Sequence, residues 1–299
     1  MDYILLAIAT VCSSMLNICV RIYGEKCQKT LAGTFLYSGI YFLFAIPIAA
    51  VFLKAFTIPE FLTLLLAPLF GILYTVRMYM FYKGTQAGPL TLTILFVNIS
   101  LILPLLFSVI FLGERLTMIK IIGILIIIFI IFMSSRVGFH NEKISKKWLL
   151  YAAILFFSNG LMSIIQKYHQ FVLPKQDVGN FVTIGYIFAS LSSFILFLFI
   201  IRTHEHKTKT ENDKRNVKNI KTFIIIAVIS SLCTVFSTGL YTVVSSAIPS
   251  YILFPATNCG IMIISTIFAV FMFKERLNKI KVFSMILGIM AIILLTVNF

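Results

Sequence analysis

The chain has 299 residues, of which 60% are hydrophobic and 12% are charged, and its mean hydropathy is +1.03. Soluble domains carry about a quarter charged residues, so this composition excludes an ordinary soluble domain and predicts an all-α integral membrane protein. The formal net charge of +15 does not indicate a nucleic-acid partner, because the basic residues lie in short loops between apolar segments. The five cysteines lack the spacing of a disulfide framework or a zinc site, and we predict no cofactor or metal.

Ten apolar segments are long enough to cross the roughly 30 Å hydrocarbon core of a bilayer as helices. In chain order they are Tyr3–Val20, Leu31–Leu53, Phe61–Tyr82, Pro89–Leu112, Met118–Ser135, Trp148–Gln166, Phe181–Ile201, Phe223–Val244, Pro249–Phe273 and Ile280–Val297. We therefore expect ten transmembrane helices.

The basic residues are unequally shared between alternate loops. Counted with the first turn of the span that follows, the loops after the odd-numbered spans hold 19 Lys and Arg, and those after the even-numbered spans hold 5. Since cytoplasmic loops collect Lys and Arg, the charged loop 202–221 is predicted to be cytoplasmic and both termini to lie outside. The predicted location is the plasma membrane.

A short turn of the sequence occurs twice. Glu-Arg-Leu at residues 114–116, with Ile119 and Lys120, recurs at residues 275–277 with Ile280 and Lys281, and Pro89 pairs with Pro249 at a shift of 160 residues. The sequence thus divides into five-span halves, residues 1–142 and 143–299, and because five is odd the second half is predicted to be inverted. We expect Glu114 and Glu275 to face the positive start of the span that follows each.

Ten spans in two halves, each closing on this turn before a last helix, resemble the EamA-type branch of the drug/metabolite transporter superfamily. The resemblance covers essentially the whole chain and implies a transporter, without specifying a substrate. Two features differ from the family pattern. Lys274 stands where the family commonly has Gly, and the family usually keeps both termini in the cytoplasm.

Polar residues within spans are the candidate binding residues, because they are costly in lipid without a partner or a watery cavity. Asn98 and Asn258 each lie nine residues after a helix-starting proline, about 13–14 Å along the helix and so near the midplane. Inverted-repeat transporters bind substrate there. The alternative is a hydrogen bond between the fourth and ninth spans.

The eighth span carries hydroxyls on one helical face, at Ser230, Thr234, Ser237 and Tyr241. This face is expected to line an interior groove, although hydroxyls also bond back to their own helix. At the shift of 160 residues, the third span has Tyr74, Arg77 and Phe81 at the positions equivalent to Thr234, Ser237 and Tyr241.

Arg77 has two interpretations. Either it reaches the cytoplasmic interface from about two turns inside its span, or it supplies a fixed positive charge that binds a carboxylate or phosphate. Asn17 with Ser13, and Asn159 with Ser163 and Gln166, are further candidates for the walls of the cavity.

All ten acidic residues lie in loops or at span ends, and the four histidines lie outside the predicted spans. Without an interior base or paired acids, the sequence does not predict an enzyme. Pro104 and Pro255 are expected to kink their helices.

The sequence therefore predicts a secondary transporter of a small polar metabolite, such as an amino acid or derivative bearing a carboxylate or phosphate, that works by alternating access in the lipid bilayer. Two alternatives stay open: an exporter of neutral or cationic toxic compounds, and a non-transporting assembly or lipid-handling subunit.

Overall fold

The structure, a computed structural model, describes residues 1–26, 30–88, 90–136, 145–205, 220–273, 283, 286–291 and 293. Over these residues the chain forms α-helices joined by turns. In chain order the helices are α1 (Asp2–Lys26), α2 (Leu31–Phe52), α3 (Phe61–Ala87), α4 (Leu90–Ile99), α5 (Ile102–Phe111), α6 (Met118–Arg136), α7 (Lys146–Val172), α8 (Val178–Glu205), α9 (Ile220–Ser245) and α10 (Ser250–Phe273).

Eight spans in the described ranges are long and apolar enough to cross a membrane, and one of them consists of α4 and α5 together. The apolar part of α6, Met118–Ile130, is shorter. Most of the tenth predicted span, the second copy of the repeated turn at 274–282 and the loop at 206–219 lie outside the described residues. The protein is thus a multi-pass helical membrane protein, and the count of ten spans stays a prediction.

Two helix starts follow directly from the local sequence. Thr30 precedes α2 in extended backbone, and its side chain accepts a hydrogen bond from the N–H of Gly33 at 3.1 Å. Ser145 caps α7 in the same way through the N–H of Trp148 at 3.1 Å. Both hydroxyls satisfy donors that a helix cannot bond internally, which fixes where these helices begin.

The chain divides into two compact units. Unit 1 comprises Met1–Val11, Val76–Gln176 and Leu240–Phe299, and unit 2 comprises Cys12–Thr75 and Asp177–Gly239. Each unit takes residues from both predicted sequence halves, so the units are a different division of the chain. The boundary between residues 142 and 143 stays a prediction.

Small residues bring the helices of unit 2 into close contact. A Cβ atom built on Gly71 of α3 would lie 2.2 Å from the carbonyl oxygen of Gly185 on α8. Ser190, one turn further along α8, donates a hydrogen bond to the carbonyl oxygen of Gly39 on α2 at 3.0 Å. Close backbone approach through small residues is the usual means of packing helices in lipid, where lipid tails are as apolar as side chains.

Trp148 anchors the core of unit 1. It is 2% exposed, its indole N–H donates to the Thr93 hydroxyl at 3.1 Å, and its ring packs edge-on against Phe96. The apolar cluster around it includes Leu95, Leu105, Ile127, Ala152, Val244, Ile252 and Leu253. A buried indole that finds a partner for its N–H contributes a large apolar area without a desolvation cost.

Because successive spans cross the membrane in opposite directions, alternate loops are predicted to lie on the same side. Within each unit, contacts between such loops agree with this prediction. In unit 1 the Lys175 ammonium lies 3.3 Å from the Asp2 carboxylate, which places the N terminus beside the end of α7. In unit 2 the Asn180 amide donates to the Thr57 carbonyl oxygen at 3.1 Å. Which of the two sides faces the cytoplasm stays a prediction.

We expect Gly71→Ala to destabilise the protein by about 1–3 kcal/mol, because the backbone of α8 must move to admit the methyl group. The measurement is the unfolding temperature in detergent. Gly185→Ala is the matched control. The added Cβ there would lie 3.2 Å from a ring atom of Phe70, a side chain that can move, so the loss should be smaller. Equal losses for the two variants would contradict the close contact of α3 with α8.

Candidate functional site

An ion pair lies inside unit 1, near the ends of three helices. The Lys167 ammonium of α7 is 3.4 Å from the Glu114 carboxylate, which follows α5, and their side chains are 7% and 15% exposed. Burial of two charges is costly unless they pair and their remaining hydrogen-bonding groups are also satisfied. Whether this pair stabilises the protein therefore depends on the other hydrogen-bond partners of each charge.

The Glu114 carboxylate caps the start of α10. Its two oxygens accept hydrogen bonds from the N–H of Ser250 at 3.0 and 2.8 Å, and one also accepts from the Ser250 hydroxyl at 3.0 Å. The first N–H groups of a helix have no partner within it and carry partial positive charge. A carboxylate is a good partner at this position.

The Lys167 ammonium caps the end of α9. It donates to the carbonyl oxygen of Ser245, the last residue of α9, at 2.8 Å, where a helix leaves acceptors free. It also donates to the carbonyl oxygen of Ile248, in the turn that follows, at 2.9 Å. We call Glu114 and Lys167 the helix-end ion pair. Its negative charge stabilises the positive end of α10, and its positive charge stabilises the negative end of α9.

The turn after α5 directs Glu114 toward α10. Gly113 has a φ of +70°, a left-handed conformation that glycine adopts without strain, and the Glu114 N–H then bonds back to the Ser108 carbonyl oxygen at 3.2 Å. The Ser108 hydroxyl also lies 2.6 Å from the Ser250 hydroxyl. The repeated turn therefore positions its acid by backbone geometry.

Lys120, from the same repeated turn, contacts the next residue of α10. Its ammonium donates to the Tyr251 hydroxyl at 2.7 Å and lies 4.1 Å from the centre of that ring. The acid and the lysine of the turn thus bind consecutive residues at the start of one helix.

These contacts correct two expectations. Glu114 stabilises the start of α10, and not the start of the span that directly follows it. The sixth span does not end at Gln166, because α7 continues to Val172 and includes Lys167 and His169, which are 5% and 0% exposed. A basic residue after a long apolar run predicts the end of a span. Lys167 instead finds partners in Glu114 and Ser245, which allows α7 to continue past it.

The fourth span is broken where the sequence predicts only a kink. α4 ends at Ile99 and α5 begins at Ile102, and Pro104 has no N–H to offer the Ser100 carbonyl oxygen. That oxygen accepts from Leu103 instead, at 3.1 Å. The break therefore leaves backbone groups that side chains must satisfy.

Asn159 of α7 forms hydrogen bonds to polar groups beside this break. Its amide donates to the Val97 carbonyl oxygen at 3.2 Å and to the Ser100 hydroxyl. Asn98 lies beside the break and is partly exposed, and the described residues include no hydrogen-bond partner for its side chain. Of the two asparagines, only Asn159 forms side-chain hydrogen bonds to another helix among the described residues.

The equivalent part of α10 is continuous through Pro255. The Asn258 amide donates to the Phe254 carbonyl oxygen of its own helix at 3.0 Å. The bond is not the predicted hydrogen bond between the fourth and ninth spans. Tyr241 of α9 packs with its ring 6.3 Å from that of Phe254, partly buried against the core of unit 1.

The hydroxyl face of α9 points into unit 2. Ser230 is buried against the Tyr37 hydroxyl, and Ser237 bonds to Ser13 of α1. Thr234 is 2% exposed, and its hydroxyl has no hydrogen-bond partner among the described residues, although its carbonyl oxygen accepts from Tyr186. Part of the predicted groove is thus closed by contacts between helices.

The third-span candidates lie one turn apart on α3, and both are partly buried. The Tyr74 hydroxyl accepts a hydrogen bond from Tyr41 at 3.1 Å, and the Tyr74 ring packs edge-on against Phe42. Arg77 lies ten residues, about 15 Å, before the end of α3 at Ala87. Asn17 of α1 is exposed.

Sequence reasoning missed the aromatic cluster around these hydroxyls, formed by Tyr37, Tyr41, Phe42 and Tyr186, each at most 2% exposed. Aromatic residues in membrane proteins often face lipid or the interface, so composition gives no signal for them. Spacing does give one, because Tyr37 and Tyr41 are four residues apart and share a helical face. Among the described residues, no group of three His, Cys, Asp or Glu is arranged to hold a metal ion.

Comparison with known proteins identifies the family of this chain. The sequence matches the EamA-like transporter family over residues 1–136 and 146–297. The chain therefore belongs to the EamA-like transporter family, a group within the drug/metabolite transporter superfamily.

A solved structure titled "Crystal structure of protein" superposes with a TM-score of 0.74 over 99% of this chain and 97% of its own. Its sequence is 12% identical, so the likeness shows a shared fold and nothing more. No curated protein matches the sequence.

We expect Lys167→Ala to lower the free energy of unfolding by about 3–5 kcal/mol, because it leaves the Glu114 carboxylate buried beside two unsatisfied carbonyl groups. Lys175→Ala, which removes the more exposed ion pair with Asp2, should cost less than about 1 kcal/mol. Thermal unfolding in detergent measures both. Similar losses would show that Glu114 and Lys167 contribute no more than a surface pair.

Exchanging the two charges distinguishes a simple ion pair from charges fitted to helix ends. The double variant Glu114→Lys with Lys167→Glu retains the pair but places an ammonium against N–H donors and a carboxylate against carbonyl oxygens. We expect it to be no more stable than Lys167→Ala alone. Recovery of the native unfolding temperature would contradict the capping role.

Proposed function

We propose that the protein is a secondary transporter of a small polar metabolite that bears a carboxylate or a phosphate, such as an amino acid or a derivative. Membership of a transporter family supports the class of function. The two matched segments, 1–136 and 146–297, are what two five-span halves would give, and they support alternating access by inverted repeats. The proposed location is the plasma membrane, with residues 202–221 in the cytoplasm.

The observation that carries the proposal is the position of Arg77 within α3. It lies ten residues from the C-terminal end of a 27-residue helix, and its side chain is partly buried. A charged side chain within a membrane span is costly in lipid, and in transporters it usually faces the protein interior or a watery path. Interior arginines of this kind mark routes for charged solutes.

A guanidinium suits an anionic solute for geometric reasons. Its planar fork donates two parallel hydrogen bonds to a carboxylate or a phosphate, which fixes orientation as well as charge. Tyr74 lies one turn away on α3, and its hydroxyl already takes part in a hydrogen-bonded pair with Tyr41. Such a pair can turn toward a ligand without breaking the fold.

The other predicted contacts have graded support. Asn98 and the Thr234 hydroxyl lack partners among the described residues, which favours a role in binding. Ser237 and Asn159 already bond to other helices, so their contribution would depend on rearrangement. Three further residues stay in the proposal on position alone: Asn17, Tyr241 and Asn258.

The test is ligand-induced stabilisation of the purified protein across amino acids, sugar phosphates, nucleotides and amines. We expect an anionic metabolite to raise the unfolding temperature, since a ligand at 100 times its Kd adds about 2.7 kcal/mol of stability. Arg77→Ala should abolish this shift, and Arg77→Lys should retain part of it.

Arg202→Ala is the matched control, because it removes an exposed arginine near the end of α8. It should leave the ligand shift intact. Stabilisation by amines alone, or an unchanged shift in Arg77→Ala, would overturn the assignment of an anionic substrate to Arg77.

A further inference from the structure

The helix-end ion pair holds both ends of one short turn. Residues 246–249 connect α9 to α10. The ammonium of Lys167 binds the carbonyl group of Ser245 before the turn and that of Ile248 within it, and the carboxylate of Glu114 binds the N–H of Ser250 after it. The residues that accept or donate these bonds are Ser245, Ile248 and Ser250, all at most 2% exposed. Between them, Ala247 is exposed. The turn is thus a surface feature with buried polar anchors.

The anchors are of a kind that can separate and re-form. They consist of hydrogen bonds and one ion pair at helix ends, with a further hydroxyl contact between Ser108 and Ser250 at 2.6 Å. Polar contacts of this type have two discrete states, bonded or hydrated, whereas interlocked apolar side chains resist sliding. Alternating access requires a reversible closure of this sort on each side of the membrane.

We propose that Glu114 and Lys167 are positioning residues of the transport cycle, forming a latch that holds the α9–α10 turn closed and that must open in each cycle. This inference rests on the proposed transport function. The latch lies on the same side of unit 1 as the N terminus, since Lys175, at the end of the same helix as Lys167, pairs with Asp2. Opening exposes Ser245 and Ser250 to water.

The first test locks the latch covalently. Ser108→Cys with Ser250→Cys, in a protein whose five native cysteines are replaced by alanine, places two thiols where two hydroxyls now touch. We expect oxidation to reduce transport in proteoliposomes more than about tenfold, and reduction to restore it, because the closed turn cannot open. The single variants Ser108→Cys and Ser250→Cys are the controls and should be insensitive to oxidant. Full activity of the cross-linked protein would overturn the proposal.

The second test needs no substrate. Ser245→Cys in the same cysteine-free protein buries a thiol under the latch, and a maleimide in detergent solution labels it only when the turn opens. Adding Lys167→Met should raise the labelling rate more than about tenfold, and adding Lys175→Met should leave it unchanged. Equal rates with and without Lys167→Met would overturn the latch.

The two tests separate the two ideas. If no tested solute is transported, the proposed function fails, while the labelling rate still reports on the latch. If transport is present and the cross-linked protein is fully active, the latch fails and the transport function stands.

Discussion

The structure of unit 1 depends on one constraint: helix ends that stop short of water must find partners within the protein. The end of α9 leaves the Ser245 carbonyl group free and the start of α10 leaves the Ser250 N–H free, and a single ion pair satisfies both. The left-handed conformation of Gly113 precedes Glu114, whose carboxylate accepts from the N–H at the start of α10. A charge pair that would be a poor source of stability in a dry core is favourable here, because each charge meets a helix end of opposite sign.

Unit 2 is built on a different basis. Small residues bring α3 and α8 together at Gly71 and Gly185, and tyrosine hydroxyls connect the helices. Such contacts cost little to exchange for contacts to a ligand or water, since a hydroxyl both donates and accepts.

Several features were predictable from the sequence because they depend on local pattern. Runs of apolar residues predicted the eight spans found in the described ranges, and Thr30 and Ser145 are cap-type residues that directly precede their helices. The helical face that Ser230 and Thr234 share is buried, as their spacing predicts. The resemblance carried by the repeated turn was confirmed by membership of the EamA-like transporter family. The predictions that were wrong concern features that depend on partners distant in sequence. The continuation of α7 through Lys167 depends on Ser245 and Ile248, about 80 residues away, and the break after α4 depends on Asn159. No local pattern contains those contacts.

The most direct measurement of the central claim is solute counterflow in proteoliposomes that contain the purified protein. Vesicles loaded with unlabelled metabolite should accumulate the same labelled metabolite when it bears a carboxylate or phosphate, and should not accumulate amines of similar size. Accumulation of amines with exclusion of anions would contradict the assignment of a cationic binding group. Equal fluxes in vesicles with and without the protein, for every class of solute, would contradict transport itself.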